Sequence, residues 1–76
     1  MSPRLPRVTA SELLCALQRD GWFVIRQSGS HVVLRHEAKS GRVVVSRHAG
    51  AIVKPKVLED TLEQAGLTPE DLRRLL

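Results

Sequence analysis

The 76-residue chain has one cysteine, one phenylalanine, one tryptophan and no tyrosine. A single cysteine excludes a disulfide framework and a thiolate metal cluster. Cys15 falls in the apolar helical pattern of Leu13, Leu14, Ala16 and Leu17 and is expected to fill core space. So few aromatic rings leave no platform on which successive single-stranded bases could stack. No apolar run reaches the length of an export signal or a membrane span, so a cytoplasmic location away from any membrane is expected. There is no HExxH or CxxC spacing to hold a metal, and no metal or other cofactor is expected. Gly29, Gly41 and Gly50 lie too far apart for a phosphate loop and precede no helix in the right place. A chain this short buries only about 60–65% of the surface its unfolded form exposes, which leaves one domain, 1–76, and no deep enclosed pocket. Chemistry belongs on an open face, against a large substrate.

What the chain does have is positive charge, and it is clustered. Of a formal net charge of +4, the stretch from Arg26 to Lys56 holds Arg26, Arg35, Lys39, Arg42, Arg47, Lys54 and Lys56 against Glu37 alone. The residues before it are nearly balanced and those after it are net acidic. A basic surface can serve solubility alone, but a positive field confined to one segment also suits a polyanion such as nucleic acid.

Pro3 and Pro6 keep residues 1–8 out of a helix, as an N-terminal arm. Thr9 with Glu12 fits a capping box, Leu13, Leu14 and Leu17 give a helical apolar face, and Gly21 stops it. Trp22–Gln27, His31–Glu37 and Arg42–Arg47 are rich in β-branched residues and joined by short turns, Ser28-Gly29-Ser30 and Lys39-Ser40-Gly41. Pro55 suits the first turn of a second helix with Leu58, Leu62 and Ala65 on one stripe, ended by Gly66. Thr68 and Pro69 start a short C-terminal helix over 68–76, docked by Leu72, Leu75 and Leu76. The expected fold is α+β, a two-layer domain: a three-stranded antiparallel sheet with helices on one face.

Alternation places Val32, Leu34 and His36 toward the helices and His31, Val33 and Arg35 on the opposite face, with Arg42, Val44 and Ser46 beside them and His48 just beyond. An imidazole among guanidiniums can hold a phosphate beside a general acid/base. A histidine at the start of a strand is, by itself, more often structural or merely exposed than catalytic, and a one-residue register slip would turn His31 to the core. A Ser30–His31 nucleophile pair is geometrically poor, because adjacent strand residues point to opposite faces.

The order Gly21-Trp22, Arg26, Gly29-Ser30-His31, a Val-rich strand, His48 and the closing LEQAGLTPEDL resembles the HicA (YcfA-like) toxin family from Thr9 to Leu76. That resemblance implies an α-β-β-β-α fold like double-stranded-RNA-binding domains, mRNA interferase activity and a HicB-type antitoxin protein covering the active face. It puts the catalytic histidine on His31, with Gly29 and Ser30 as the turn that presents it. His31 would then take the proton of a ribose 2′-hydroxyl, with no metal required. Arg26, Arg35, Arg42, Arg47, His48, Lys54 and Lys56 are the expected contacts to RNA phosphates. Two motifs depart from the family's usual V-P-x-H and K-G-T-L: here they read Val45-Ser46-Arg47-His48 and Lys54-Pro55-Lys56-Val57-Leu58. The competing readings are a non-catalytic double-stranded-RNA-binding module and a pure protein-interaction domain.

Overall fold

The computed structural model describes residues 5–47 and 51–76. The order is α1 (Ala10–Arg19), β1 (Trp22–Ser28), β2 (His31–His36), β3 (Arg42–Ser46), α2 (Pro55–Ala65) and α3 (Pro69–Leu75). The strands form one antiparallel sheet in the order β1-β2-β3, with α1 and α2 against the sheet and α3 against α1. This is the α+β architecture expected, and no described helix is long and apolar enough to cross a membrane.

Each helix is bounded by the chemistry its sequence offers. The Thr9 hydroxyl accepts from the Glu12 N–H at 3.2 Å while Glu12 accepts from the Thr9 N–H at 2.8 Å, closing the capping box of α1. Thr68 and Asp71 repeat the device at α3. Gly66 ends α2 at φ +70, where a left-handed residue lets Leu67 N–H reach the Leu62 carbonyl at 2.9 Å. The N–H of Thr68 and its hydroxyl, followed by Arg74, hold the Asp71 carboxyl below its ordinary value of 3.8.

The core lies between the helices and one sheet face. Leu13, Leu17, Leu34, Val43, Leu58, Leu62 and Leu72 are almost wholly buried, and Val32 and Val45 complete the inner side of the strands. Two expectations fail here. Cys15 is exposed, because the stripe that packs is Ala10, Leu13, Leu14, Ala16 and Leu17 and Cys15 falls on the flank turned outward. Leu76 is exposed too, since α3 docks through Leu72 with Leu75 only partly covered. The arm is also tied down earlier than its prolines suggested. Val8 is buried, its carbonyl accepts from Val53 N–H at 2.8 Å, and Thr9 bridges Ile52.

Gly21 and His36 form the tightest joint. Gly21 sits at φ +106, and a Cβ there would stand 2.7 Å from His36 Nε2. The Asp20 carbonyl accepts from that Nε2–H at 2.8 Å, while the Ala38 N–H donates to Nδ1 at 2.9 Å, which fixes the neutral tautomer. The same ring meets buried Trp22 edge-on at 5.4 Å. The Gly-Trp pair at the end of α1 is therefore a packing requirement.

Gly21→Ala should cost about 2–4 kcal/mol, from left-handed strain plus displacement of His36. Gly41→Ala, at φ +82 with open space around its Cβ, should cost clearly less. Urea unfolding of the two variants compares them directly, and equal losses would refute the role given to His36. The lowered carboxyl of Asp71 adds stability that is complete above the ordinary carboxylate range and fades as pH falls through its depressed value. Asp71→Asn should flatten that acid limb in thermal melts taken across pH.

Candidate active site

The outer face of the sheet is a grid set by strand register. Phe23, Arg35 and Arg42 lie side by side across the three strands, then Arg26, Val33 and Val44, then Ser28, His31 and Ser46. Directly opposed residues of an antiparallel pair share a face, so each row presents its side chains together. All nine are exposed except Val33, which is half-buried.

Arg26 reaches this face through an irregularity in β1. Alternation from Trp22 inward, Phe23 outward and Val24 inward would turn Arg26 toward the helices. Between Val24, which pairs with Leu34, and Arg26, which pairs with Val33, Ile25 is an extra residue, and this bulge reverses the phase. No glycine marks the bulge, so nothing in the local sequence signals it.

The row that holds His31 is made by the first hairpin turn. Ser28 pairs with His31, leaving Gly29-Ser30 as a two-residue loop. Gly29 has φ +58 and Ser30 does not have a positive φ, the pattern of a type II′ turn with glycine first. The Arg47 N–H donates to the Ser30 carbonyl at 2.6 Å, which extends the β2–β3 ladder up to the turn. Among the described residues, the His31 ring has no hydrogen-bond or ionic partner, in contrast to His36 with its two.

The other expected contacts divide by position. Arg26 is the diagonal neighbour of His31, one row away. Arg35 and Arg42 face each other at the far end of the sheet, about 13 Å along β2 from His31 at 3.3 Å per residue. They cannot share its immediate surroundings. Arg47 lies on the helix side, in a groove with Cys15, Gln27 and Val32. Lys54 shares a depression of about 330 Å³ with Ser46, the cross-strand partner of His31. Lys56 stands 3.4 Å from Asp60 in an exposed pair that costs little to open. His48 lies outside the described residues. Lys39 leaves the basic stripe altogether, bound to Asp20 at 2.8 Å.

Arg26, Arg35, Arg42, Arg47 and Lys54 have no carboxylate partner among the described residues. Facing guanidiniums such as Arg35 and Arg42 repel, and an anion placed between them relieves that repulsion. Among the described residues no three His, Cys, Asp or Glu side chains gather as metal ligands. Sequence reasoning did not pair Ser28 with His31, although a two-residue loop at Gly29-Ser30 fixes that register.

An open antiparallel sheet backed by helices, with a turn-mounted histidine beside cations that have no carboxylate partner among the described residues, defines a small α+β domain that presents one charged face. The sequence profile of the HicA toxin of bacterial toxin–antitoxin systems matches residues 10–67, from the start of α1 through the end of α2. The chain belongs to that family: it is the toxin of a toxin–antitoxin pair, and an antitoxin protein is its implied partner. A search of curated proteins gave no match. The matched stretch includes the Gly29-Ser30-His31 turn and stops before α3.

The two histidines of β2 should behave oppositely in stability. His31→Ala should change unfolding free energy by less than about 0.5 kcal/mol, as an exposed group without partners. His36→Ala should cost about 2–3 kcal/mol, since it leaves the Asp20 carbonyl and the Ala38 N–H unpaired beside Trp22. Denaturant titration of both decides whether His31 has a structural duty.

Proposed function

We propose that this toxin is an endoribonuclease that cuts mRNA in the cytoplasm, with His31 as general base, held in check by a HicB-type antitoxin. The observation that carries the reading is the His31 ring: presented by a type II′ turn, exposed, without a partner among the described residues and one row from Arg26. A residue kept for packing would be tied in as His36 is.

In the reaction His31 takes the proton from a ribose 2′-hydroxyl, and the 2′-oxygen attacks the adjacent phosphorus. The bond from phosphorus to the 5′-oxygen breaks, leaving a 2′,3′-cyclic phosphate and a 5′-hydroxyl. The departing oxygen takes its proton from a second donor, for which Lys54, His48 and water are the candidates. Arg26 offsets the charge that develops on the phosphoryl oxygens. Arg35 and Arg42 hold phosphates further along the chain of RNA, with Arg47, Lys54 and Lys56 as flanking contacts. The ribose itself supplies the nucleophile, so the scheme is complete without a cofactor.

Positioned general-base catalysis contributes about 10²–10⁴-fold. In excess chelator the parent should cut single-stranded RNA, while His31→Ala should be at least about 100-fold slower with RNA affinity changed only a few-fold. A strand carrying 2′-deoxyribose at the scissile position should bind and stay intact. Cleavage of that strand would overturn the internal-nucleophile scheme. If the parent binds RNA but cuts none, the protein is an RNA-binding module and His31 one contact among several.

A further inference from the structure

Beyond β3 the His31 row runs into a depression that the reaction scheme leaves unassigned. Across the row the order is Ser28, His31 and Ser46, and Ser46 also lines the hollow of about 330 Å³ that holds Lys54. Small-ligand sites commonly occupy about 300–1,000 Å³, and this one falls in that range. Ala10, Ile52, Val53 and Val57 supply apolar walls, with Ile52 51% and Val57 48% exposed. The backbone beneath is fixed. Thr9 bridges Ile52, the Val8 carbonyl accepts from Val53 N–H at 2.8 Å, and the Lys54 carbonyl accepts from Leu58 N–H at 2.9 Å. The two polar side chains are unspent: among the described residues, neither the Ser46 hydroxyl nor the Lys54 ammonium has a hydrogen-bond or ionic partner.

Chemistry selects the occupant. An acyl chain or an apolar peptide would cover Ile52 and Val57 but strip water from the ammonium and the hydroxyl without replacing it. A phosphate would meet Lys54 and leave the apolar walls in water. A nucleobase meets both, with a flat face against aliphatic side chains and hydrogen-bonding groups along its edge. Position agrees with chemistry. Neighbouring strands lie about 4.8 Å apart, so the depression begins one strand beyond His31. A nucleotide whose 2′-hydroxyl meets His31 needs only that step to lay its own base past Ser46. Lys54 then discriminates among bases. An ammonium donates hydrogen bonds and accepts none, so it favours guanine and uracil, which carry a carbonyl oxygen where adenine and cytosine carry an amino group.

We propose that this depression is a nucleobase subsite for a keto base, guanine or uracil, on the nucleotide 5′ of the cut. Ile52 and Val57 lie against the face of the base, and Lys54 and Ser46 meet its edge. The subsite's place in catalysis rests on the ribonuclease reading of His31; the binding of the base does not. Lys54 is then a specificity residue and not the donor to the departing 5′-oxygen.

Two measurements on the full chain test this. In the first, guanosine, uridine, adenosine and cytidine 3′-monophosphates are titrated into isotope-labelled protein, and the amide resonances of Ser46, Ile52 and Val57 are followed. The guanosine and uridine compounds should move them with at least about tenfold tighter binding than the other two. Lys54→Met, which keeps the stem and removes the ammonium, should bring all four within about twofold of one another. Ile52→Ser with Val57→Ser should weaken all four at least about fivefold, with circular dichroism melts showing that the fold is kept. In the second, 2′-deoxy strands carrying a single ribonucleotide of each base are cut in excess chelator. kcat/KM at guanosine or uridine should exceed that at adenosine or cytidine at least about tenfold, a ratio that Lys54→Met removes. Equal shifts by all four nucleotides, or the same shifts by ribose 5-phosphate, overturn the proposal. So does equal cleavage at all four bases, with the ribonuclease reading left standing. If the parent cuts no strand while guanosine and uridine nucleotides still bind here preferentially, the ribonuclease reading fails and the nucleobase site stands.

Discussion

Lys39 ties together the end of the molecule opposite the candidate site. Its Nζ donates to the Asp20 carboxylate at 2.8 Å, just past the end of α1, and to the Ala65 carbonyl at 2.8 Å, at the end of α2. The same ammonium lies 6.0 Å from the Trp22 ring centre, and Asp20 also offers its backbone oxygen to His36. One side chain from the loop between β2 and β3 thus fixes where two helices stop relative to the sheet. The pair is only partly exposed, so it is screened less than a surface ion pair. Gly21 belongs to the same joint, because any larger residue there would collide with the His36 ring.

With that end closed, the other end is free to hold chemistry. The Gly29-Ser30 turn, the ladder bond from Arg47 to Ser30 and the buried Val32 and Val45 make a rigid frame at the His31 row, while its side chains face outward. The helices cover one face of the sheet and leave the other to a ligand. Basic residues on that face repel one another, and a small domain tolerates this only because most of its stability comes from the opposite layer. An anion placed between such groups would relieve that repulsion.

The two histidines of β2 show how identical side chains acquire different roles. His36 is half-buried, held by two backbone groups, and serves the fold. His31 is one strand-length away with no partner among the described residues, available for proton transfer. Their alternation along β2 was legible from the period-two pattern, as were the capping boxes, the glycine stops and the three strands. Local sequence carries these because a cap, a turn or a strand is specified by residues within a few positions of one another.

The distribution of function over the face was a different matter. The sequence by itself determined the element order, the sidedness of β2 and β3, the turn that presents His31 and the family to which the chain belongs. Only the tertiary structure decided that Lys39 is spent on Asp20, that Arg47 turns to the helix side, that Cys15 is exposed, and that Arg35 and Arg42 stand a strand-length from His31. It also decided, through the bulge at Ile25, that Arg26 joins the outer face. The physical reason is distance along the chain: these outcomes depend on register and on contacts between segments far apart in sequence. No local propensity encodes which cation meets which carboxylate, or which row of a sheet a side chain occupies.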